Sequence, residues 1–90
     1  MSDEFRWNAW NLEHATSHGV SPLEAEMVVR SARAPYPEAR GDNKWAVLGR
    51  GSSGRLIQVI YVVDAEETLY VIHARPLTDR EKHKYRRRIR

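Results

Sequence analysis

His73 and Arg75 stand two residues apart at the end of an apolar run, Leu69-Tyr70-Val71-Ile72. In a strand, that spacing places both side chains on one face. Histidine exchanges protons near neutral pH. The planar arginine fork donates two parallel hydrogen bonds to a phosphate. Cleavage of an RNA backbone needs these parts: a deprotonated 2′-hydroxyl, a protonated 5′-oxygen and positive charge on the pentavalent phosphate. Charge stabilisation in a preorganised site is often the largest of these contributions. Alone the pair is a weak signal, because a histidine near an arginine on a strand is more often structural.

The residues after the pair strengthen the phosphate reading. Pro76 ends the apolar run, and Lys82-His83-Lys84-Tyr85-Arg86-Arg87-Arg88-Ile89-Arg90 closes the chain. Seven of the fifteen Lys and Arg residues lie between Arg80 and Arg90. The net charge of +3 hides an asymmetry: residues 1–43 carry four basic and seven acidic groups, residues 44–90 eleven and five. The second part is therefore the anion-binding part, and RNA is the partner it suits best. The plainer reading of a basic helix is a solvated surface.

Composition bounds the rest. Ninety residues, 41% of them apolar, make one domain over 1–90 with a modest core. The absence of cysteine removes disulfide and thiolate chemistry and fits the cytosol. The start, Met1-Ser2-Asp3-Glu4, lacks the apolar stretch of a signal peptide. No apolar run approaches membrane-spanning length.

The elements that must position the pair are legible. Phe5-Arg6-Trp7 reads as a short edge strand. Asn8 caps a helix over about Ala9 to His18, with Gly19 just beyond it. Ser21-Pro22-Leu23-Glu24 starts a second helix, Ser21 capping and Glu24 closing a capping box, with a stripe of Leu23, Met27 and Val28 through about Arg30 or Ser31. Ala34 to Asn43, with two prolines, reads as a mobile loop. Trp45–Gly49, Leu56–Val63 and Thr68–Arg75 form an antiparallel meander joined by Gly51-Ser52-Ser53-Gly54 and Asp64-Ala65-Glu66-Glu67. Thr78 and Glu81 form a second capping box at the last helix. The expected fold is α+β: an antiparallel three- to four-stranded sheet in the order β-α-α-β-β-β-α, its helices on one face and the other face free for a ligand. Alternation then puts Tyr70, Ile72 and Ala74 against the helices, and Leu69, Val71, His73 and Arg75 on the free face, with Gln58. Lys44 and Arg50 share a phase, and Arg55 lies past the turn. These basic groups are expected to converge on one concave surface.

Other features carry plainer readings. His14 and His18 have a metal-ligand spacing but no third ligand, so two surface or half-buried histidines are expected. Trp7, Trp10 and Trp45 can stack on bases, but core or partner contacts suit them better. His83 reads as solvated. Gly51-Ser52-Ser53-Gly54 lacks the lysine and helix of a phosphate loop.

Phe5-Arg6-Trp7-Asn8, Asn11-Leu12, His18-Gly19-Val20-Ser21, Glu24-Ala25, Lys44 to Arg50, Gly54-Arg55-Leu56, Val59-Ile60-Tyr61 and Ile72 to Pro76 stand in the order seen in BrnT-like toxins. Arg80-Glu81 and Tyr85 extend the likeness over nearly the whole chain. The chain thus resembles the toxin half of type II toxin–antitoxin systems, whose fold is RelE-like and whose members arrest growth by cutting RNA. The resemblance implies a metal-independent endoribonuclease without cofactor, acting on RNA, including message on the ribosome. It implies a small BrnA-like, DNA-binding antitoxin as partner, in a toxin–antitoxin heterotetramer or beside a homodimer. Arg75 would contact the scissile phosphate, with Arg55, Arg50 and Lys44 adding charge. His73 or Tyr85 would move protons, while Arg80, Lys82, Lys84 and Arg86 would hold the RNA. Two positions depart from the family: Ser17, where lysine is common, and His73, where serine is common.

Two other classes remain beside the enzyme. One is a non-catalytic RNA- or DNA-binding domain, marked by steep salt dependence without cleavage. The other is a partner-binding domain using a sheet edge or apolar groove.

Overall fold

The computed structural model describes residues 4–89. Met1 to Asp3, most of the stretch read as lacking a signal peptide, and Arg90, the end of the basic tail, lie outside them. The elements are β1 (Phe5–Arg6), α1 (Ala9–His14), α2 (Pro22–Arg30), β2 (Glu38–Ala39), β3 (Lys44–Arg50), β4 (Leu56–Val63), β5 (Leu69–Pro76) and α3 (Asp79–Arg88). They form an α+β fold around one five-stranded sheet, in the order β1-β5-β4-β3-β2. The central meander β3-β4-β5 is antiparallel. The sheet is wider than expected because β2 adds to β3, and the expected edge strand β1 pairs in parallel with β5. It is therefore mixed, not wholly antiparallel.

β2 arises inside the segment read as a mobile loop. Tyr36 is buried in the core there, and Glu38 and Ala39 pair with Ala46 and Trp45. Burying one aromatic ring outweighs the loop-like composition of the prolines around it. Helix caps follow the sequence more closely. Asn8 caps α1 and Thr78 caps α3, each with a reciprocal capping box. Ser21 caps α2 alone, because the Glu24 carboxylate turns to Ser53 and Arg55. α1 stops at His14, four residues early, and Gly19 takes a left-handed φ of 82° in the turn beyond it.

The two faces of the sheet are set by register. Val28 of α2 lies against Gly49, and the row of Gly49 and Val47 continues through Ile57 and Val59 to Ala74. These residues and Val20, Ala25, Val71 and Leu69 form the main core. The opposite face carries Leu48, Gln58 and Arg75 in one row. Leu48 and Gln58 are only 6% and 7% exposed there, and Arg75 reaches Glu81 of α3. α3 thus crosses this end of the second face. The helices do not all share one face, and the expected free face is free only toward its other end.

A bulge in β5 overturns the alternation read from sequence. Tyr61 pairs with Val71, but Ile60 pairs with His73, so Ile72 is an extra residue. Such an insertion exchanges the faces of the residues on one side of it. Leu69 and Val71 join Ala74 in the core, while Tyr70 joins His73 and Arg75 on the second face. The expected placement of His73 and Arg75 stands; those of Leu69, Val71 and Tyr70 are reversed.

Candidate functional site

His73 lies half-buried on the part of the second face that α3 leaves open. It reaches that place because the bulge at Ile72 turns it out of the core. Asn11 holds the neighbouring strand edge: its side-chain amide donates to the carbonyls of Arg6 and Val71, both at 3.0 Å. That anchor keeps α1 beside β5, and the chain leaving α1 carries His18 to His73. The two imidazole centroids are 5.7 Å apart at an interplanar angle of 62°. Burial, then Arg75, then His18 lower the His73 pKa from its ordinary value of 6.5. His73 is therefore largely neutral at pH 7 and able to accept a proton.

Arg75, on the same face, is clamped. Its two terminal nitrogens donate to the two Glu81 oxygens at 2.7 Å each, and one also donates to the Pro76 carbonyl. These bonds use three of the five N–H donors of a guanidinium, leaving two for a ligand. Gln58 lies beside Arg75 on β4 and is buried.

The other expected members do not converge on this pair. Lys44 and Arg50 occupy opposite ends of β3. At about 3.3 Å per residue, six residues of strand separate them by about 20 Å. A shared phase sets the face of a side chain but not its position along the strand. Lys44 is exposed in the row of Val62 and Tyr70, nearer His73 than Arg50 is. Arg50 bonds the Gly54 carbonyl across its own turn. Arg55 reaches away to the Gly19 carbonyl and the buried carboxylate of Glu24. Burial opposes the charged form of Glu24, yet hydrogen bonds from Ser53 and Arg55 outweigh it and hold its pKa below the ordinary value. Tyr85 is buried and stacks on Tyr36, with centroids 6.1 Å apart, so its ring packs α3 instead of meeting a ligand beside His73. Arg80, Lys84 and Arg86 are exposed along α3, and Lys82 lies 3.7 Å from Asp79.

Two features of this surface escaped the sequence reading. The first is His18 as the neighbour of His73. Its spacing from His14 suggested only a metal pair, but His14 stacks on Trp10 at 4.2 Å instead. The second is a continuous stack of Arg6, Tyr70, Trp10 and His14 along the edge of β5. The four-residue spacing of Trp10, His14 and His18 was its one signal. Trp10 is 50% exposed, so it is not a core residue. Trp7 donates to Glu26 from a half-buried position. Trp45 is half-buried in a shallow apolar hollow with Tyr61, Val63 and Pro37.

No helix among the described residues is long and apolar enough to cross a membrane. No protein-family model matches the chain, and no curated protein and no solved structure matches it.

Proposed function

We propose that this chain is an RNA-cleaving toxin of the BrnT type, with a RelE-like fold, neutralised by a cognate antitoxin. The observation that carries the reading is His73, neutral and partly exposed, set between His18 and the phosphate-seeking Arg75. In the proposed reaction His73 takes the 2′-hydroxyl proton, and the 2′-oxygen attacks phosphorus. The bond from phosphorus to the 5′-oxygen breaks, His18 supplies a proton to that oxygen, and a 2′,3′-cyclic phosphate forms. The two free donors of Arg75 bear the phosphate charge, with Lys44 adding to it from the open end of the face. Arg80, Lys82 and Lys84 hold neighbouring backbone phosphates. The antitoxin, an acidic or amphipathic segment joined to a DNA-binding part, covers the basic face of α3. Charge steering makes that association salt-sensitive, chiefly in its rate.

Purified chain incubated with a single-stranded RNA tests the reaction. Cyclic phosphate ends are expected, with at least a hundredfold loss in both His73→Ala and His18→Ala while the fold is kept. Cleavage that survives both substitutions sinks the assignment. Growth arrest on expression in a bacterium, abolished by the same substitutions, tests the toxin reading.

A second reading, a non-catalytic nucleic-acid-binding domain, draws on the carboxylates that occupy Arg55 and Arg75. It calls for RNA binding that weakens steeply with salt and leaves the RNA intact.

A further inference from the structure

Six of the eleven arginines among the described residues are matched to a carboxylate. Arg6, Arg30, Arg40, Arg55, Arg75 and Arg88 each form an ion pair. Arg33, Arg50 and Arg86 form none among the described residues, and these three line one cavity of about 280 Å³ at the end of β3 that β2 leaves unpaired. They arrive from three separate elements: the segment after α2, the end of β3 and the last turns of α3. Gly49, Tyr85 and Ile89 complete most of the wall, and no carboxylate lines it. A second cavity of about 480 Å³ shares Arg33 and Ile89 with the first and continues along Ala34 and Pro35.

The like charges of three arginines lining one hollow repel each other, and none can lose its proton. An anion relieves that repulsion, and several arginine forks in one concave site suit the oxygens of a phosphate group. The charge favours a dianion over a singly charged backbone diester. A phosphomonoester carries close to two negative charges at pH 7, since its second pKa is about 6. The adjoining cavity leaves room for what the phosphate is attached to. Its lining of Ala34, Pro35, Ile89 and the stems of Arg33 and Arg88 suits a nucleoside.

We propose that Arg33, Arg50 and Arg86 form a phosphomonoester-binding site, filled by a free mononucleotide or by the phosphorylated end of a nucleic-acid strand. The site is separate from the His73 surface and does not require the chain to cleave RNA. Arg33 is the residue that distinguishes it, because Arg33 is exposed and plays no part in the proposed reaction.

Calorimetric titration of the full chain with AMP and with adenosine tests the site. AMP is expected to bind at least tenfold more tightly than adenosine. Arg33→Ala should remove that preference. Arg87→Ala deletes an exposed charge that does not line the cavity and should change AMP affinity less than twofold. Circular dichroism checks that both variants keep the fold. Equal binding of AMP and adenosine, or equal losses in the two variants, overturns the proposal. A short oligodeoxynucleotide with and without a 5′-phosphate separates the two sources. A phosphate-dependent gain greater than that of AMP assigns the site to strand ends, and a smaller one assigns it to free nucleotides. No phosphate dependence with any of these ligands overturns the site.

Discussion

Glu81 joins the end of β5 to the start of α3 through one carboxylate. It accepts two 2.7 Å hydrogen bonds from Arg75 and a 2.9 Å bond from the Thr78 backbone amide. The Arg75 bonds first, then the Thr78 amide, hold its pKa at about 2, below the ordinary 4.5, against the opposing effect of burial. The folded chain therefore binds this proton less readily than the unfolded chain. The resulting stability is fully present above about pH 4.5 and is lost as pH falls through about 2. Glu81→Gln is expected to lower stability at pH 7 by about 1–3 kcal/mol, since charge-assisted bonds are replaced by neutral ones. It should also flatten the pH dependence of the thermal midpoint between pH 4.5 and 2. Melting curves across that range check both effects. An unchanged slope would mean that another carboxylate carries the acid response.

His73 titrates in a different window. Its folded pKa lies below 6.5, so the unfolded chain takes the proton first as pH falls. Stability from this group therefore declines below pH 6.5 and levels off beneath the folded pKa. The His73 ring protons, followed by NMR, should give a midpoint below 6.5. His18→Gln removes one of the three causes and is expected to move that midpoint upward. If cleavage uses neutral His73, the acid limb of the pH–rate profile for the residual cleavage left in His18→Gln should move upward with it. A limb that stays still while the NMR midpoint moves would assign the proton transfer to another group.

Local signals were legible in the sequence, and lateral ones were not. Asn8, Ser21 and Thr78 mark their helix starts because a cap depends on a few neighbouring residues. β4 runs from Leu56 to Val63 as its apolar run indicates. The bulge at Ile72 has no such signature. It depends on how β5 meets β4, and it reassigned the faces of Leu69, Val71 and Tyr70. The site divides the same way. His73 and Arg75 share a face as two-residue spacing requires, but the carboxylate on Arg75 and the approach of His18 depend on contacts distant in sequence or on the path of a turn. Lys44 and Arg50 show the limit of periodicity most plainly, since they share a phase yet stand at opposite ends of β3.

Asn11 is the fully buried polar side chain that fixes α1 to the sheet. Its amide donates to Arg6 and Val71, and its oxygen accepts from the Asn8 amide at 2.7 Å. Asn11→Ala leaves two carbonyls and one N–H without these partners, and it opens a small cavity. A loss of about 2–4 kcal/mol is expected, read from urea denaturation. Asn11→Asp keeps the acceptor but sets a carboxylate against two carbonyls, so it should destabilise at least as much. The His18–His73 contact should loosen as well, seen as increased exchange broadening of both rings. A stability change under about 0.5 kcal/mol, the range of neutral surface substitutions, would show that α1 is held by its apolar contacts alone.

Gly51 offers the final test, through Glu24. A Cβ at residue 51 would overlap the Glu24 side chain, whose carboxylate binds Ser53 and Arg55. Exposed glutamates swing aside at little cost, but this one is buried and moves only by giving up those bonds. Gly51→Ala is therefore expected to cost about 1–3 kcal/mol in a denaturant titration. Glu24→Gln should cost a comparable amount by weakening the Ser53 and Arg55 bonds. Once Glu24 is neutral, the Gly51→Ala penalty should shrink, because less remains to be broken. The double substitution is therefore expected to cost less than the sum of the two. Strict additivity would mean that the Gly51 site clashes with the β3–β4 turn itself, and Glu24 would then have no part in setting that turn.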